Sequence, residues 1–258
     1  MISIIIPVFN CFEYTELCVT SIRKHTKDYE LIIVDNGSTD ETREWFNAQK
    51  TAQIDDNSFS IVDGTVIVLN ENLGYSKANN IGLKYANSEY ICFLNNDTIV
   101  TPNWDKLLIK HLENNLDIVG PCSNFVAGMQ RRTIGVYSNS TELNDKALEF
   151  TNGNIGRNTE TNWIIGFCMA MKKHLITHLG SFDEQFRIGN SEDIDLCLRA
   201  KQKAYNIGIA EDCYIHHHGS MTFAMLETNN SENYNNLLIE NSNRLVSKWG
   251  NTVNYSQI

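Results

Sequence analysis

ICFLNNDTIV, residues 91–100, is an apolar run that stops on three polar side chains, Asn95, Asn96 and Asp97, before apolar character returns at Ile99 and Val100. Its first four residues read as a buried strand. Two explanations compete for the polar end: a plain turn, or a site for a metal ion and a phosphate. The rest of the chain decides between them.

Strand-like and helix-like runs alternate through the first hundred residues. Residues 3–8 predict a strand ended by Pro7. Residues 13–24, apolar at Leu17, Cys18 and Ile22, predict a helix. A second strand at 31–34 runs into Asp35-Asn36-Gly37-Ser38-Thr39-Asp40, where Asp40 or Thr39 can cap a helix over 41–49. A strand at 65–69, a helix at 77–86 and a strand at 90–94 follow. Continuous Ile/Val/Leu runs separated by helices predict a parallel sheet covered on both faces. Ligands of such sheets bind beyond the carboxyl ends of the strands. The polar clusters fall there: Phe9-Asn10, Asp35-Asn36, Asn70 to Asn72, and Asn95 to Asp97.

Beyond Asp97 the pattern loosens. Residues 105–114 and 192–201 predict helices, and 163–171, 206–210 and 213–217 predict strands. Residues 121–161, rich in Asn, Thr, Ser and Gly and carrying Arg131 and Arg132, are expected to form a long excursion with a short hairpin and a mobile loop. An amphipathic helix is expected over 233–249, packing through Leu237, Leu238, Leu245 and Val246. No internal repeat or linker stands out, so one domain over 1–258 is expected.

Composition limits the function classes. With 258 residues, 42% hydrophobic and 20% charged, the chain is globular. A net charge of -10 argues against nucleic acid as a partner. It leaves room for a small phosphate ligand, because one metal ion inverts the local field. The seven cysteines are odd in number, form no CxxC pair and mostly sit in apolar runs. They read as reduced core residues of a cytoplasmic protein. MISIIIPVFN lacks the basic flank and cleavage site of a signal peptide and reads as a strand. No stretch approaches membrane-span length; peripheral association with the inner face of a membrane stays compatible.

Each strand-end cluster has a bland and a chemical reading. Asp35 makes an Asx turn, or hydrogen-bonds a nucleobase or ribose. Asn72-Leu73-Gly74-Tyr75-Ser76-Lys77 is an ordinary helix entry, or a loop whose N–H groups and Lys77 hold an anion. Asn95-Asn96-Asp97 offers one carboxylate and two amide oxygens, a poor cation site unless a diphosphate supplies further charge. Glu192-Asp193-Ile194-Asp195 places three acids in four residues at a helix start, more than a cap requires. Asp195 and Arg199 make a routine i,i+4 pair, while a carboxylate in a cleft can take a proton from a hydroxyl nucleophile. His216-His217-His218 point in different directions, so one imidazole at most joins Asp97 on a Mn²⁺-like ion.

Taken together, these blocks resemble the family 2 glycosyltransferases over about residues 2–223. The resemblance rests on their order: SIIIPVFN at 3–10, IVDNGSTD at 33–40, Asn72-Leu73-Gly74 through Asn79-Asn80-Ile81-Gly82, Phe93-Leu94-Asn95-Asn96-Asp97, Gly166, GSFDE at 180–184, Glu192-Asp193-Ile194-Asp195-Leu196, and His217-His218-Gly219-Ser220. It implies a GT-A fold: a Rossmann-like, mostly parallel sheet flanked by helices, with a smaller acceptor-side sheet. It also implies sugar transfer from a nucleotide-diphospho-sugar, UDP- or dTDP-linked, with inversion. The nucleotide half would span 1–100, the acceptor and catalytic half 101–223, and a helical tail 224–258.

By the same resemblance, Pro7, Phe9, Asn10, Glu13, Asp35 and Asn36 would line the nucleoside pocket. Asn72, Gly74, Lys77, Asn79 and Asn96 would lie near ribose and diphosphate. Asp97 and His217 would hold Mn²⁺ or Mg²⁺, with His216 and His218 as alternatives. Asn95 stands where the family carries an acid, which removes one charge from that site. Asp193 would be the base, with Glu192 beside it, and Trp163 and Gly166 would meet acceptor or donor sugar. The acceptor would be a glycan, free or linked to lipid or protein, in cell-surface polysaccharide or glycan synthesis. A non-catalytic nucleotide-sugar or glycan-binding module is the alternative, and a sugar-nucleotide pyrophosphorylase ranks below both. The pyrophosphorylases carry a Gly-rich basic loop after the first strand, and Pro7-Val8-Phe9-Asn10 is not one.

Overall fold

The computed structural model describes residues 1–219 and 236–250. The elements in chain order are β1 (Ile2–Val8), α1 (Phe12–His25), β2 (Tyr29–Asp35), α2 (Thr42–Asn47), β3 (Ala52–Asp55), β4 (Ser58–Ile61), β5 (Gly64–Val68), α3 (Tyr75–Leu83), β6 (Tyr90–Leu94), β7 (Thr98–Ile99), α4 (Trp104–Asn114) and β8 (Ile118–Cys122). After a short 3-10 turn at Gly128–Gln130 come α5 (Ser140–Asn154), β9 (Asn158–Thr161), β10 (Cys168–Lys172), α6 (His174–Leu179), α7 (Glu192–Gln202), β11 (Ile207–Tyr214) and β12 (His216–His217). A last helix, α8, covers 236–249.

Among the described residues ten strands form one sheet, in the order β3-β4-β5-β2-β1-β6-β10-β8-β11-β9, and β7 pairs with β12 in a second, two-stranded sheet. The centre, β5-β2-β1-β6, is parallel. The expected parallel sheet and small second sheet are therefore both present. β10 runs antiparallel between β6 and β8, which makes the large sheet mixed. The central strands carry uninterrupted apolar runs, at residues 4–6, 31–34 and 91–94, because both faces are covered there. Ile4, Ile6, Leu31 and Ile33 pack on one side with Cys18, Val19 and Ile22 of α1 and Leu108 and Leu112 of α4. Ile5, Ile32 and Val34 point the other way, toward Ala78 of α3 and Leu196, Cys197 and Ala200 of α7.

Several expectations are corrected. Pro7 does not end its strand; it stays in register with Val34. Pairing of β1 with β6 stops at Ile5, so the missing N–H of Pro7 breaks no ladder bond on that side. The excursion at 121–161 is largely ordered. It contains the fifteen-residue helix α5, whose Asn139 cap accepts from the N–H groups of Thr141 and Glu142, and then the edge strand β9. The β3–β4 hairpin, β8 and α6 had no counterpart in the sequence reading. The two expected strands at 206–210 and 213–217 are one strand, β11, with a register shift between Ala210 and Tyr214, followed by β12. In α8, Leu245 is buried and Leu237 and Leu238 are half-buried, but Val246 is exposed; residues 233–235 of that expected helix lie outside the described residues.

Candidate active site

The carboxyl ends of β1, β2 and β6 deliver their polar clusters to one edge of the sheet, and two turns are stitched together there. Asn10 and Cys11, with φ of 55° and 62°, turn the chain sharply between β1 and α1. The Asn10 N–H donates to Ser38 Oγ (2.9 Å), and Asn10 Oδ1 accepts from the Thr39 N–H (2.7 Å). Asp40 accepts from the N–H groups of both Phe12 and Thr42, so one carboxylate serves the starts of α1 and α2. Asp35 is fully buried: Oδ1 accepts from the Ser38 N–H (2.8 Å) and Oδ2 from Arg43 Nε (2.8 Å). The Asx turn is thus present, and Arg43 holds the carboxylate in place.

Asn36 ties this edge to the loop before α3. Its Nδ2 donates to Asn72 Oδ1 (2.9 Å), and its Oδ1 accepts from the Leu73 N–H (2.9 Å). Asn72 Oδ1 also accepts from the Gly74 N–H (2.9 Å). Gly74 has φ 86°, and a Cβ there would lie 2.8 Å from the Ile188 nitrogen, so this close approach requires glycine. Asn79 donates from Nδ2 to the Tyr75 carbonyl, while its Oδ1 is buried without a partner among the described residues. Pro7 is buried, Phe9 half-buried, and Glu13 and Lys77 are exposed on α1 and α3.

The end of β6 behaves differently. Asn96 is buried and donates to Thr15 Oγ1 of α1 (2.9 Å), which fixes the turn. Asn95 Oδ1 is buried without a partner among the described residues. Asp97 Oδ1 lies 3.1 Å from His217 Nε2, because β12 pairs His217 with Thr98. His217 Nδ1 lies 2.7 Å from the Phe125 carbonyl, and its ring stacks on Phe167 with centroids 5.0 Å apart. Burial disfavours the His217 imidazolium, but the Asp97 hydrogen bond and charge outweigh it and raise its pKa above the ordinary value. His216 turns away, to Tyr137 Oη at 2.6 Å, and burial lowers its pKa to about 4. His218 packs edge-on against Tyr14.

Asp97 and His217 suit a divalent cation in kind. With Nδ1–H on the Phe125 carbonyl, loss of the Nε2 proton that bonds Asp97 would leave a lone pair for a cation shared with that carboxylate, the arrangement that orients a metal-binding imidazole. Among the described residues no group of three or more His, Cys, Asp or Glu side chains converges on one point. Two protein ligands leave the remaining positions of a Mn²⁺- or Mg²⁺-like ion to phosphate and water.

The acids stand at the start of α7. Asp193 Oδ2 accepts from the Gly166 N–H (2.7 Å) and Oδ1 from the Ile194 N–H (2.8 Å). Burial pushes the Asp193 carboxyl up despite these two bonds. Glu192 is pushed well above its ordinary value, first by burial and then by the charge of Asp193, and its Oε2 has no partner among the described residues. Asp195 is occupied by Arg199 Nε, Lys248 Nζ and Trp249 Nε1 and belongs to the packing of α7. Trp163 is half-buried and packs against the apolar cluster of Phe186, Ile194 and Leu245.

One short segment before β10 joins the clusters. Gly166 gives its N–H to Asp193, and its carbonyl accepts from Tyr75 Oη (2.8 Å) beside the Asn72–Gly74 loop. Its neighbour Phe167 gives its carbonyl to the Asn95 N–H (2.8 Å) and its ring to His217. The structure therefore brings together Asp97 with His217, Asp193 with Gly166, and Asn36 with Asn72 and Gly74. Arg43, Thr15 and Phe125 were missed in the sequence, and Tyr75 entered only as part of the 72–77 loop. Arg43, in the first turn of α2 and pointing back at Asp35, carried a usable signal; the others act through long-range contacts.

An open sheet with a mixed β6-β10-β8 half and a two-stranded flank that brings a histidine to the end of β6 is the GT-A glycosyltransferase fold. Similar solved structures include TarS 1-349 of S. aureus in complex with UDP-GlcNAc (18% identity, TM-score 0.59, covering 83% of this chain and 57% of that one). GalNAc-T7 with UDP, GalNAc and Mn²⁺ is also similar (13% identity, TM-score 0.61, 84% and 43%). So is the mannosyltransferase PcManGT from Pyrobaculum calidifontis with GDP-Man and Mn²⁺ (16% identity, TM-score 0.57, 84% and 56%). The chain belongs to glycosyl transferase family 2, whose model matches residues 3–180. Curated relatives include glycosyltransferase GlyG of Streptococcus pneumoniae serotype 4, 33% identical over 123 residues, 46% of this chain and 38% of that protein. Glycosyltransferase AglE of Haloferax volcanii is 24% identical over 216 residues, 82% and 64% of the two chains. The chain thus spans less than two thirds of either relative. No helix among the described residues is long and apolar enough to cross a membrane.

Proposed function

We propose that this glycosyltransferase moves a sugar from a UDP- or dTDP-sugar to a hydroxyl of a glycan, lipid-linked or protein-linked acceptor, by a single displacement with inversion. The observation that carries the reading is the Gly166-Phe167 junction, which links Asp193, the loop at 72–75 and the Asp97–His217 pair through direct contacts. Leaving group, base and cation ligands would then belong to one cleft. Mn²⁺ in GalNAc-T7 and in PcManGT, and UDP-GlcNAc in TarS, support the donor class.

In this reading Asp97 and His217 would hold a divalent cation, which when bound would supply Lewis-acid stabilisation of the departing diphosphate charge. Asn36, Asn72 and Gly74 shape the donor loop, and Asn79 Oδ1 and Asn95 Oδ1 are buried acceptors without a partner among the described residues. Asp193 takes the acceptor hydroxyl proton as that oxygen attacks the anomeric carbon. The bond to the diphosphate breaks, and its electron pair leaves with the phosphate oxygen. The bonds from Gly166 and Ile194 aim the carboxylate, each oxygen keeping a further lone pair. Glu192, its pKa raised, would donate a hydrogen bond to the acceptor. A role in cell-surface glycan synthesis, in the cytoplasm at the inner face of a membrane, fits this chemistry.

A screen of UDP- and dTDP-sugars, with and without Mn²⁺, tests the reading through thermal stabilisation and release of nucleoside diphosphate. Metal-dependent stabilisation with slow hydrolysis of at least one donor is expected. A protein that binds no nucleotide diphosphate in either condition would contradict it.

A further inference from the structure

The turn that leads into the two acids is strained. Ile188, Gly189, Asn190 and Ser191 all have positive φ, at 61°, 144°, 77° and 78°. A β-branched residue such as Ile188 avoids that region unless its surroundings hold it there. Two neighbours hold this one. On one side, the Tyr75 N–H donates to the Ile188 carbonyl (3.1 Å) beside Gly74, at the donor loop. On the other, α8 reaches across. Asn241 is fully buried, and its Nδ2 donates to the carbonyls of Arg187 (2.9 Å) and Gly189 (2.8 Å). Its Oδ1 accepts from Arg244 Nη1 (3.0 Å), which also donates to the Gln185 carbonyl (2.7 Å). Lys248 bridges Asp183 and Asp195, at 2.8 Å and 2.7 Å.

A carboxamide that spends both N–H groups on two carbonyls of a left-handed turn fixes its backbone more tightly than apolar packing would. Ser191 ends that turn, and Glu192 and Asp193 follow directly. We infer that Asn241 is a positioning residue: it clamps the 187–191 turn so that Asp193 faces the donor loop. The inference rests on the proposed role of Asp193 as base. The donor loop keeps its own bonds to Asn36, so loosening the clamp would misplace the base while leaving nucleotide affinity intact.

The experiment compares wild type, Asn241→Leu, Asn241→Gln and, as a control on the same helix, Ile239→Ser at an exposed position. Amide hydrogen exchange over 186–196 reads the clamp itself. Nucleoside diphosphate release from the UDP- or dTDP-sugar that wild type hydrolyses reads its consequence. Asn241→Leu, of similar branching but without donors, is expected to speed exchange over 186–196 at least tenfold with the β1–β2 core unchanged. Its kcat should fall about tenfold to hundredfold, with KM for the donor and UDP affinity in Mn²⁺ within threefold. Asn241→Gln, which keeps both N–H donors, should recover part of the loss, and Ile239→Ser should match wild type. Unchanged exchange over 186–196 in Asn241→Leu overturns the clamp whatever the activity. A loss confined to KM, or equal in Asn241→Leu and Asn241→Gln, overturns the positioning role. Failure of the base assignment would appear elsewhere, as an Asp193→Asn variant that still turns over.

Discussion

Glu192 and Asp193 sit buried side by side, and burial together with the charge of Asp193 disfavours the ionised form of Glu192. A carboxyl whose folded pKa lies above its ordinary value of about 4.3 weakens the fold once pH passes that value, because the unfolded chain releases the proton first. Glu192→Gln is therefore expected to raise Tm at pH 7 to 8 by about 2 °C or more. The gain should fade as pH falls toward 4, which a series of melts would read. Gly166→Ala acts on the partner acid: a Cβ would lie 3.0 Å from Asp193 Cβ and 3.3 Å from its Oδ2. Turnover should drop about tenfold or more, with Tm changed far less, because small displacements of a reacting group cost heavily. At His217 the raised pKa means that a proton competes with a cation for Nε2. Calorimetric affinity for Mn²⁺ in the presence of UDP should thus weaken from pH 8 to pH 6, toward tenfold per unit once the imidazolium dominates. The sequence pointed to Asp97 and to a histidine triple. It left the register open, because neighbours on a strand face opposite ways and only the pairing of His217 with Thr98 decides.

At the scale of elements, β1, β2 and β6 were legible because burial on both faces leaves an uninterrupted apolar run. The helix α5 was not, because it buries only Leu143 and Ala147 in fifteen residues, too thin a stripe to set a period. Its start did carry a signal, Asn139 followed three residues later by Glu142. The β3–β4 hairpin was hidden for the opposite reason: β3 is exposed at every position, so no alternation marks it. Gly82 shows how closely α3 lies on the sheet. A Cβ there would fall 2.6 Å from Ile5 Cγ2 and 3.0 Å from Val34 Cγ2. Helix propensity favours alanine by about 1 kcal/mol, and overpacking opposes it by about 1–3 kcal/mol. Gly82→Ala should therefore lower stability by up to about 2 kcal/mol, a fall in Tm of some 4–8 °C by calorimetry.

Across the whole molecule, the strands place the candidate nucleotide residues on one edge, and β10, returning antiparallel beside β6, brings Gly166 and Phe167 to the same edge. That return was the least legible feature. Residues 163–167 look like the start of a strand, yet they are the irregular approach to β10 and make contacts with residues about 30 to 90 positions away. Asp193 is proposed to perform the chemistry at a site that would bind metal and nucleotide independently of it. The direct test is one paired measurement on Asp193→Asn: UDP affinity in Mn²⁺ by calorimetry, and nucleoside diphosphate release from the donor that wild type uses. The account predicts affinity within threefold of wild type and release lowered about a thousandfold or more. Retained turnover in Asp193→Asn, or loss of UDP binding together with turnover, would contradict it.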